Sequence, residues 1–173
     1  ILFLQGRPNA GPAQTSLAEL FADEKIRAAH PALLTGAEGW LTNVCEQYNI
    51  PFLMAHFPNP HSFLGRLRRN KWFAHELKRL LRYYHREWQP ALVVANELEE
   101  TRLAVKLAQR LKTPCAAILR APNVTRRDYE KNQCQRCAMI FAATEELKKQ
   151  IASWNSSQPA HLITDLPLFL PSR

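Results

Sequence analysis

Short apolar runs alternate with amphipathic stretches along most of the chain. Each run is four to six residues long, and the clearest ones are followed directly by polar residues. Such runs, separated by helical segments, are typical of buried parallel strands. The pattern predicts an α/β fold: a doubly wound, Rossmann-like and mostly parallel sheet of six or seven strands with helices on both faces. The candidate strands are Ile1–Leu4, Ala32–Thr35, Phe52–Phe57, Leu92–Ala95, Cys115–Leu119, Met139–Ala143 and His161–Thr164.

Helices are predicted between these strands. Ser16 and Glu19 form a capping-box pattern, which predicts a helix that begins there and ends near Ala28. Thr144 is predicted to cap the helix that follows the sixth strand. The other predicted helices are Glu38–Tyr48, Asn70–Trp88, Glu99–Leu111 and Asp128–Arg136.

Length and composition fit one globular domain. The chain has 173 residues, of which 46% are apolar and 22% are charged, and no apolar run reaches the roughly 20 residues that cross a bilayer. We predict a domain over residues 1–165 and the start of an interdomain linker over the proline-punctuated residues 166–173. The net charge of +8 predicts an anionic partner, such as nucleic acid, anionic lipid or a phosphorylated substrate.

The cysteine content indicates reduced thiols rather than a disulfide scaffold. Cys134 and Cys137 form a single C-x-x-C pair, which offers only two metal ligands and leads into a predicted buried strand. We therefore predict that these thiols are structural.

The loop after the first strand is a candidate binding site. Its glycines permit tight backbone geometry, and the helix that follows offers free N–H groups to an anion such as a diphosphate. The alternative is an ordinary loop between a strand and a helix. The candidate binding residues are Gly6, Arg7, Asn9, Gly11, Gln14 and Thr15.

Asn96 and Glu97 follow the fourth strand, where ligands of doubly wound sheets bind. Glu97 is the candidate catalytic residue, as a general base or as an acceptor for substrate hydroxyl groups, and Asn96 is a candidate binding residue. The alternative is helix capping, with Asn96 as the cap and with Glu99 and Glu100 stabilising the first turn. We assign Glu100 to this capping role.

Arg120 and His56 end two further strands. A guanidinium at this position can bind phosphate or carboxylate through two hydrogen bonds, and the alternative is a partly exposed Arg120 paired with a nearby acid. His56 is a candidate substrate-binding residue, with a purely structural histidine as the alternative.

Basic and aromatic side chains are interleaved before the long predicted helix. This mixture suits the interface of an anionic membrane or an anionic acceptor, and the alternative is a solvated basic face. The candidate contact residues are Arg66, Arg68, Arg69, Lys71 and Trp72.

The order of these features resembles the N-terminal half of GT-B glycosyltransferases, in particular the family 4-type group. The residues that carry the resemblance are the first loop and helix, NAGPAQTSLAELF, the unit PALVVANELEETRLAVKLAQRLKTPCAAILR, and the unit CAMIFAATEELKKQI. The chain departs from the family where Pro12 follows Gly11, and where Asn96-Glu97 and Arg120-Ala121 replace the histidines of many members.

The resemblance implies an acceptor-binding half of an enzyme that moves a sugar from a nucleotide-sugar to an acceptor, either lipid-linked or a glycan of the cell envelope. The donor would be a co-substrate held mainly by a C-terminal domain that this chain lacks, so the isolated domain is expected to be inactive. No resident cofactor is implied, and no metal, because no Asp-x-Asp is present. Polysaccharide biosynthesis in the cytoplasm, peripheral to the inner face of the plasma membrane, is the expected setting.

Two other classes of protein remain open. One is a stand-alone, flavodoxin-like α/β binding or regulatory domain. The other is a basic nucleic-acid-binding protein, which the charge alone suggests; the sequence lacks RRM, KH and helix-turn-helix signatures, so nucleic acid is not the expected partner.

Overall fold

The computed structural model describes residues 1–55, 78–80, 82, 88–155, 157 and 159–164. Its described residues form one sheet of seven parallel strands, which confirms the predicted fold class. The order across the sheet is β3-β2-β1-β4-β5-β6-β7. The strands are β1 (Leu2–Gln5), β2 (Ala32–Thr35), β3 (Phe52–Met54), β4 (Val93–Ala95), β5 (Cys115–Leu119), β6 (Met139–Ala142) and β7 (Ala160–Leu162).

Helices cover both faces of the sheet. Residues 78–80 and 82 are also helical, and the rest of the predicted helix Asn70–Trp88 lies almost entirely outside the described residues. A short 3-10 turn, Cys134–Arg136, precedes β6. The labelled helices are α1 (Pro12–Ala22), α2 (Glu24–Ala28), α3 (Trp40–Gln47), α4 (Leu98–Leu111), α5 (Arg126–Lys131) and α6 (Glu145–Trp154).

The alternation of side chains along β1 produces two separate cores. Phe3 points into the core beneath α1 to α3, where its ring contacts that of Phe21 edge-on at 5.5 Å between centroids. Leu2 and Leu4 point into the opposite core, which α4 to α6 cover with Leu103, among others. Each fully buried side chain of this size contributes about 2 to 3 kcal/mol to the free energy of folding. Burial therefore stabilises the packing on both faces of the sheet.

The first helix begins four residues before the predicted capping box, so that prediction is wrong. Gly11 is the N-cap residue and Pro12 occupies the first turn, where a missing N–H group costs nothing. The predicted single helix to Ala28 is also two helices. Asp23 separates them, and its Oδ1 accepts hydrogen bonds from the amides of Lys25 and Ile26.

The cap of the last helix is as predicted. The hydroxyl oxygen of Thr144 accepts a hydrogen bond from the amide of Leu147 at 3.2 Å. The predicted helix at Asp128 instead begins at Arg126, because Thr125 provides the cap and accepts from the amide of Asp128.

The order of the strands places a topological switch point between β1 and β4. The chain builds outward from β1 to β3 and then returns to the other side of β1 with β4. Leu4 pairs with Ala95 across this junction, so the residues that follow, Gln5 and Asn96, lie side by side. Ligands of such sheets bind in the crevice at this point.

Candidate functional site

Four polar side chains form a hydrogen-bonded chain across the carboxyl ends of β1, β4 and β5. The amide nitrogen of Gln5 donates to Oε2 of Glu97 at 2.8 Å. The amide nitrogen of Asn96 donates to Oε1 of Gln5, and Asn96 Oδ1 accepts from Nη2 of Arg120 at 2.8 Å. The structure therefore brings together Asn96, Glu97 and Arg120, the three candidates predicted at these strand ends, and adds Gln5.

Asn96 is fully buried at the centre of this chain. Its amide nitrogen also donates to the carbonyl of Ala13 at 3.1 Å, which connects β4 to the start of α1. The alternative prediction that Asn96 caps α4 is wrong, because Glu97 is the N-cap residue and makes no side-chain capping bond. Asn96 is committed to holding the strand ends together.

Arg120 is half-buried, and its guanidinium donates to protein oxygens. Nη1 donates to the carbonyl of Asn96, and Nη2 reaches Oγ of Ser16 at 3.3 Å as well as Asn96 Oδ1. Desolvation lowers the pKa of Arg120 to about 10, against the opposing attraction of Glu97 and Glu100. Arg120 therefore remains a cation at neutral pH.

Glu100 lies in the first turn of α4, as its predicted capping role requires, but that role does not account for its burial. It is 5% exposed, and its Oε1 accepts a hydrogen bond from the amide of Gly6 at 2.9 Å. The pKa of Glu100 is raised to about 7; burial is the largest cause, and the charges of Glu97 and Glu99 also contribute. The three carboxyl groups offer oxygens within 4.8 Å of one another. Glu100 lies on the buried side of α4, together with Leu103 and Ala104.

The first loop and the strand ends line one open cavity of about 620 Å³. Gln14 fixes the loop, since its amide nitrogen donates to the carbonyl of Arg7 at 3.1 Å. The loop is also tied to α3, where the amide of Leu41 donates to the carbonyl of Pro8 at 2.9 Å. The cavity lining comprises residues 6–14, Glu97, Arg120 and Ala121.

Most of the predicted loop residues lie in this lining. Thr15 does not: it is exposed on α1. The other predicted contact residues lie outside the described residues: His56, Arg66, Arg68, Arg69, Lys71 and Trp72. Within the part of the chain that the structure describes, no helix is long and apolar enough to span a membrane.

Two large apolar side chains are exposed on the other half of the same sheet edge. Trp40 begins α3 and is 38% exposed, and Met54 ends β3 and is 45% exposed. The preceding Gly39 approaches Pro8 of the first loop so closely that a Cβ atom would lie 3.1 Å from the proline ring. Trp40 therefore borders the loop that lines the cavity.

A second cavity, of about 450 Å³, lies near the amino ends of β2 and β3. Its walls include the aromatic rings of Tyr48, Phe52 and Trp88. It is at the opposite end of these strands from the candidate site, and none of the predicted site residues that the structure describes lines it.

The four cysteines are buried, and none of them forms a disulfide. Burial raises the pKa of the Cys45 and Cys134 thiols to about 12. The Sγ atoms of Cys137 and Cys115 lie 3.8 Å apart. The burial agrees with the predicted structural role of the C-x-x-C pair.

Sequence reasoning did not identify Gln5 or Glu100 as site residues. The signal for Gln5 was a polar residue directly after an apolar run, the same signal that identified Asn96 and Arg120. The signal for Glu100 was its spacing of three from Glu97 and of three and four from Leu103 and Ala104, which places it on the buried face of the helix.

The chain shares its fold with solved glycosyltransferase structures. Anabaena HepE in complex with UDP and glucose superposes with a TM-score of 0.65 at 16% identity, over 92% of this chain and 42% of that one. The lipopolysaccharide outer core galactosyltransferase WaaB gives 0.58 at 12% identity, over 89% and 42%. The spinosyn rhamnosyltransferase SpnG, solved with spinosyn aglycone, gives 0.50 at 14% identity, over 82% and 44%.

No protein-family model matches the chain, and no curated protein sequence matches it. The likenesses in structure confirm the predicted resemblance at the level of the fold, which is that of GT-B glycosyltransferases. The chain spans about two fifths of the length of these structures, an extent that fits an N-terminal half. Membership of the family 4-type group stays a prediction.

Proposed function

We propose that the chain is the acceptor-binding half of a glycosyltransferase that moves a sugar from a nucleotide-sugar to an acceptor. The observation that carries the proposal is the polar chain Arg120–Asn96–Gln5–Glu97 at the switch point of a GT-B-type sheet. Doubly wound sheets bind ligands at this point, and the likeness in fold to HepE, WaaB and SpnG supports sugars and their acceptors as the class of ligand.

The chemistry of the cavity suits hydroxyl groups. Glu97 has one oxygen engaged by Gln5 and lines the cavity, which leaves a carboxylate that can accept a hydrogen bond from an acceptor hydroxyl. A carboxylate in that position also serves as a general base that takes the hydroxyl proton as the oxygen attacks the donor sugar. The arrangement therefore supports Glu97 as the catalytic residue.

The rest of the enzyme follows from the same proposal. A C-terminal domain of the same polypeptide would hold the nucleotide-sugar, which acts as a co-substrate without a resident cofactor, and the isolated chain would be inactive. We propose a lipid-linked or cell-envelope glycan as acceptor, in keeping with a role in polysaccharide biosynthesis. A cytoplasmic enzyme docked on the inner face of the plasma membrane through its basic segment completes the proposal.

The test begins with the parent gene and the protein that it encodes. We expect a second Rossmann-like domain after residue 173, and we expect the whole protein to transfer sugar from at least one of UDP-glucose, UDP-galactose and dTDP-rhamnose to a glycan or glycolipid acceptor, detected by mass spectrometry. A gene without that second domain contradicts the proposal and favours the stand-alone binding domain.

A matched pair of variants then tests the assignment of Glu97. Glu97→Gln should lower the turnover number at least about 100-fold, the usual contribution of a general base. Glu99→Gln is the control, since Glu99 is an exposed carboxyl group of the same helix turn and should keep activity near that of the wild type. Equal activity of the two variants would exclude Glu97 as the base.

A further inference from the structure

The carboxyl group of Glu100 joins helix α4 to the first loop of the cavity. Its Oε1 accepts a hydrogen bond from the amide of Gly6, which lies 94 residues away in sequence. Gly6 is the first residue after β1 and lines the cavity together with Glu97 and Arg120. The bond therefore fixes the point at which the loop leaves the sheet.

The second oxygen of this carboxyl group, Oε2, is buried and accepts no hydrogen bond from the residues that the structure describes. A buried carboxylate with an oxygen that accepts no hydrogen bond is expensive to keep ionised, whereas burial costs the neutral acid less free energy. The site therefore places the protonated and ionised forms of Glu100 close in free energy.

The charged groups that face Glu100 come from two elements. Glu97 and Glu99, at the start of α4, repel the ionised form. Arg120, from the end of β5, attracts it. Burial outweighs the hydrogen bonds from the backbone of Gly6 and of Glu100 itself, and the pKa of Glu100 is raised to about 7. Both protonation states are therefore populated near neutral pH.

We propose that Glu100 is a positioning residue whose protonation state sets the geometry of the first loop, so that acceptor binding in the cavity depends on pH near neutrality. The inference rests on the proposed function for its ligand. An ionised acceptor forms the stronger and shorter hydrogen bond with an amide. Deprotonation of Glu100 therefore holds Gly6 more tightly and orders the loop for binding, and protonation releases it.

The direct test is an NMR titration of the 173-residue chain from about pH 5 to about pH 9. We expect the amide proton of Gly6 to shift downfield with a midpoint near 7, and the side-chain carboxyl carbon of Glu100 to titrate with the same midpoint. Glu100→Gln should abolish the shift at Gly6, and Glu99→Gln should preserve it. A Gly6 amide that does not titrate, or that titrates unchanged in Glu100→Gln, overturns the proposal.

If Glu100→Gln does not fold, the wild-type chain still tests the coupling. The titration midpoint of the Gly6 amide is then compared with that of the Glu100 carboxyl carbon. Two different midpoints contradict the coupling, and a shared midpoint supports it.

Glucose serves as a neutral probe for the ligand, because it has hydroxyl groups and no charge that titrates in this range. We expect its dissociation constant, followed by the shifts of Gly6 and Glu97, to be about five-fold lower above the midpoint than below it, and independent of pH in Glu100→Gln. A pH-independent affinity in the wild type refutes the effect on binding. If Gly6 titrates as expected but millimolar glucose shifts no resonance of the cavity, the loop coupling stands and the proposed sugar-binding function is the part that fails.

Discussion

The raised pKa of Glu100 predicts one contribution to the pH dependence of the free energy of unfolding. The pKa of a glutamate is 4.5 in the absence of the fold, and burial raises that of Glu100 to about 7. Between these values the folded chain holds a proton that the unfolded chain has released. The free energy of unfolding therefore falls as the pH rises through this window.

The magnitude follows from the size of the shift. Each pH unit between the two pKa values is worth about 1.4 kcal/mol, so the change from 4.5 to about 7 amounts to about 3 kcal/mol. The contribution is fully present below pH 4.5 and is lost once the pH exceeds the pKa of the folded state.

Urea unfolding at a series of pH values measures this directly. Glu100→Gln keeps an oxygen for the amide of Gly6 and removes the titration. We expect the difference in unfolding free energy between wild type and Glu100→Gln to fall by about 3 kcal/mol between about pH 4.5 and about pH 8. The buried amide of the new glutamine adds an offset that does not depend on pH, so only the slope matters.

Glu99→Gln supplies the control, because it removes a neighbouring charge at an exposed position. The charge of Glu99 is only a minor cause of the raised pKa of Glu100, so the difference between Glu99→Gln and wild type should change far less over the same range. Parallel pH profiles for wild type and Glu100→Gln would refute the reasoning, since they would mean that Glu100 titrates alike in the folded and unfolded chain.

Three other substitutions or reactions test the fold and the site. Asn96→Ala leaves several buried groups without their partner, and we expect urea denaturation to show a loss of about 3 kcal/mol; a loss below about 1 kcal/mol would mean that these bonds contribute little. The thiols of Cys45 and Cys134, whose pKa burial raises to about 12, should resist a disulfide reagent at neutral pH in the folded chain and react in denaturant; fast reaction without denaturant would contradict their burial. Thr144→Ala removes the cap of α6 and should cost about 1 kcal/mol in thermal or urea unfolding, whereas Ser153→Ala, at an exposed position near the other end of that helix, should change stability by less than about 0.5 kcal/mol.

Buried strands could be predicted from the sequence because each one is a continuous apolar run. β2 and β5 have the predicted bounds, and β4 begins one residue later than predicted. The start of α1 could not be predicted from the Ser16 pattern. A capping-box sequence shows where a helix can begin, but other residues upstream can begin the same helix. Here Gly11 and Pro12 begin it earlier.

Part of the candidate site could be predicted, because the carboxyl ends of parallel strands lie at one edge of the sheet. This rule brought Asn96, Glu97 and Arg120 together. It does not say which side of α4 packs against the sheet, and that orientation decides whether Glu100 caps a helix in solvent or lies buried beside Gly6. It also does not reveal that Gln5 joins the strands, since the pairing of β1 with β4 comes from the topology of the sheet.

The hydrogen bonds of Arg120 bear on the kind of ligand that the cavity suits. A guanidinium binds phosphate best through two parallel N–H groups, but both terminal nitrogens of Arg120 already donate to Asn96, and one also reaches Ser16. Its charge still offsets those of Glu97 and Glu100 nearby. The cavity is lined by two basic residues, Arg7 and Arg120, and by one carboxyl group, that of Glu97, which keeps an oxygen free of the bond to Gln5. That oxygen suits a partner that donates hydrogen bonds. The hydroxyl groups of the proposed sugar acceptor are donors of that kind.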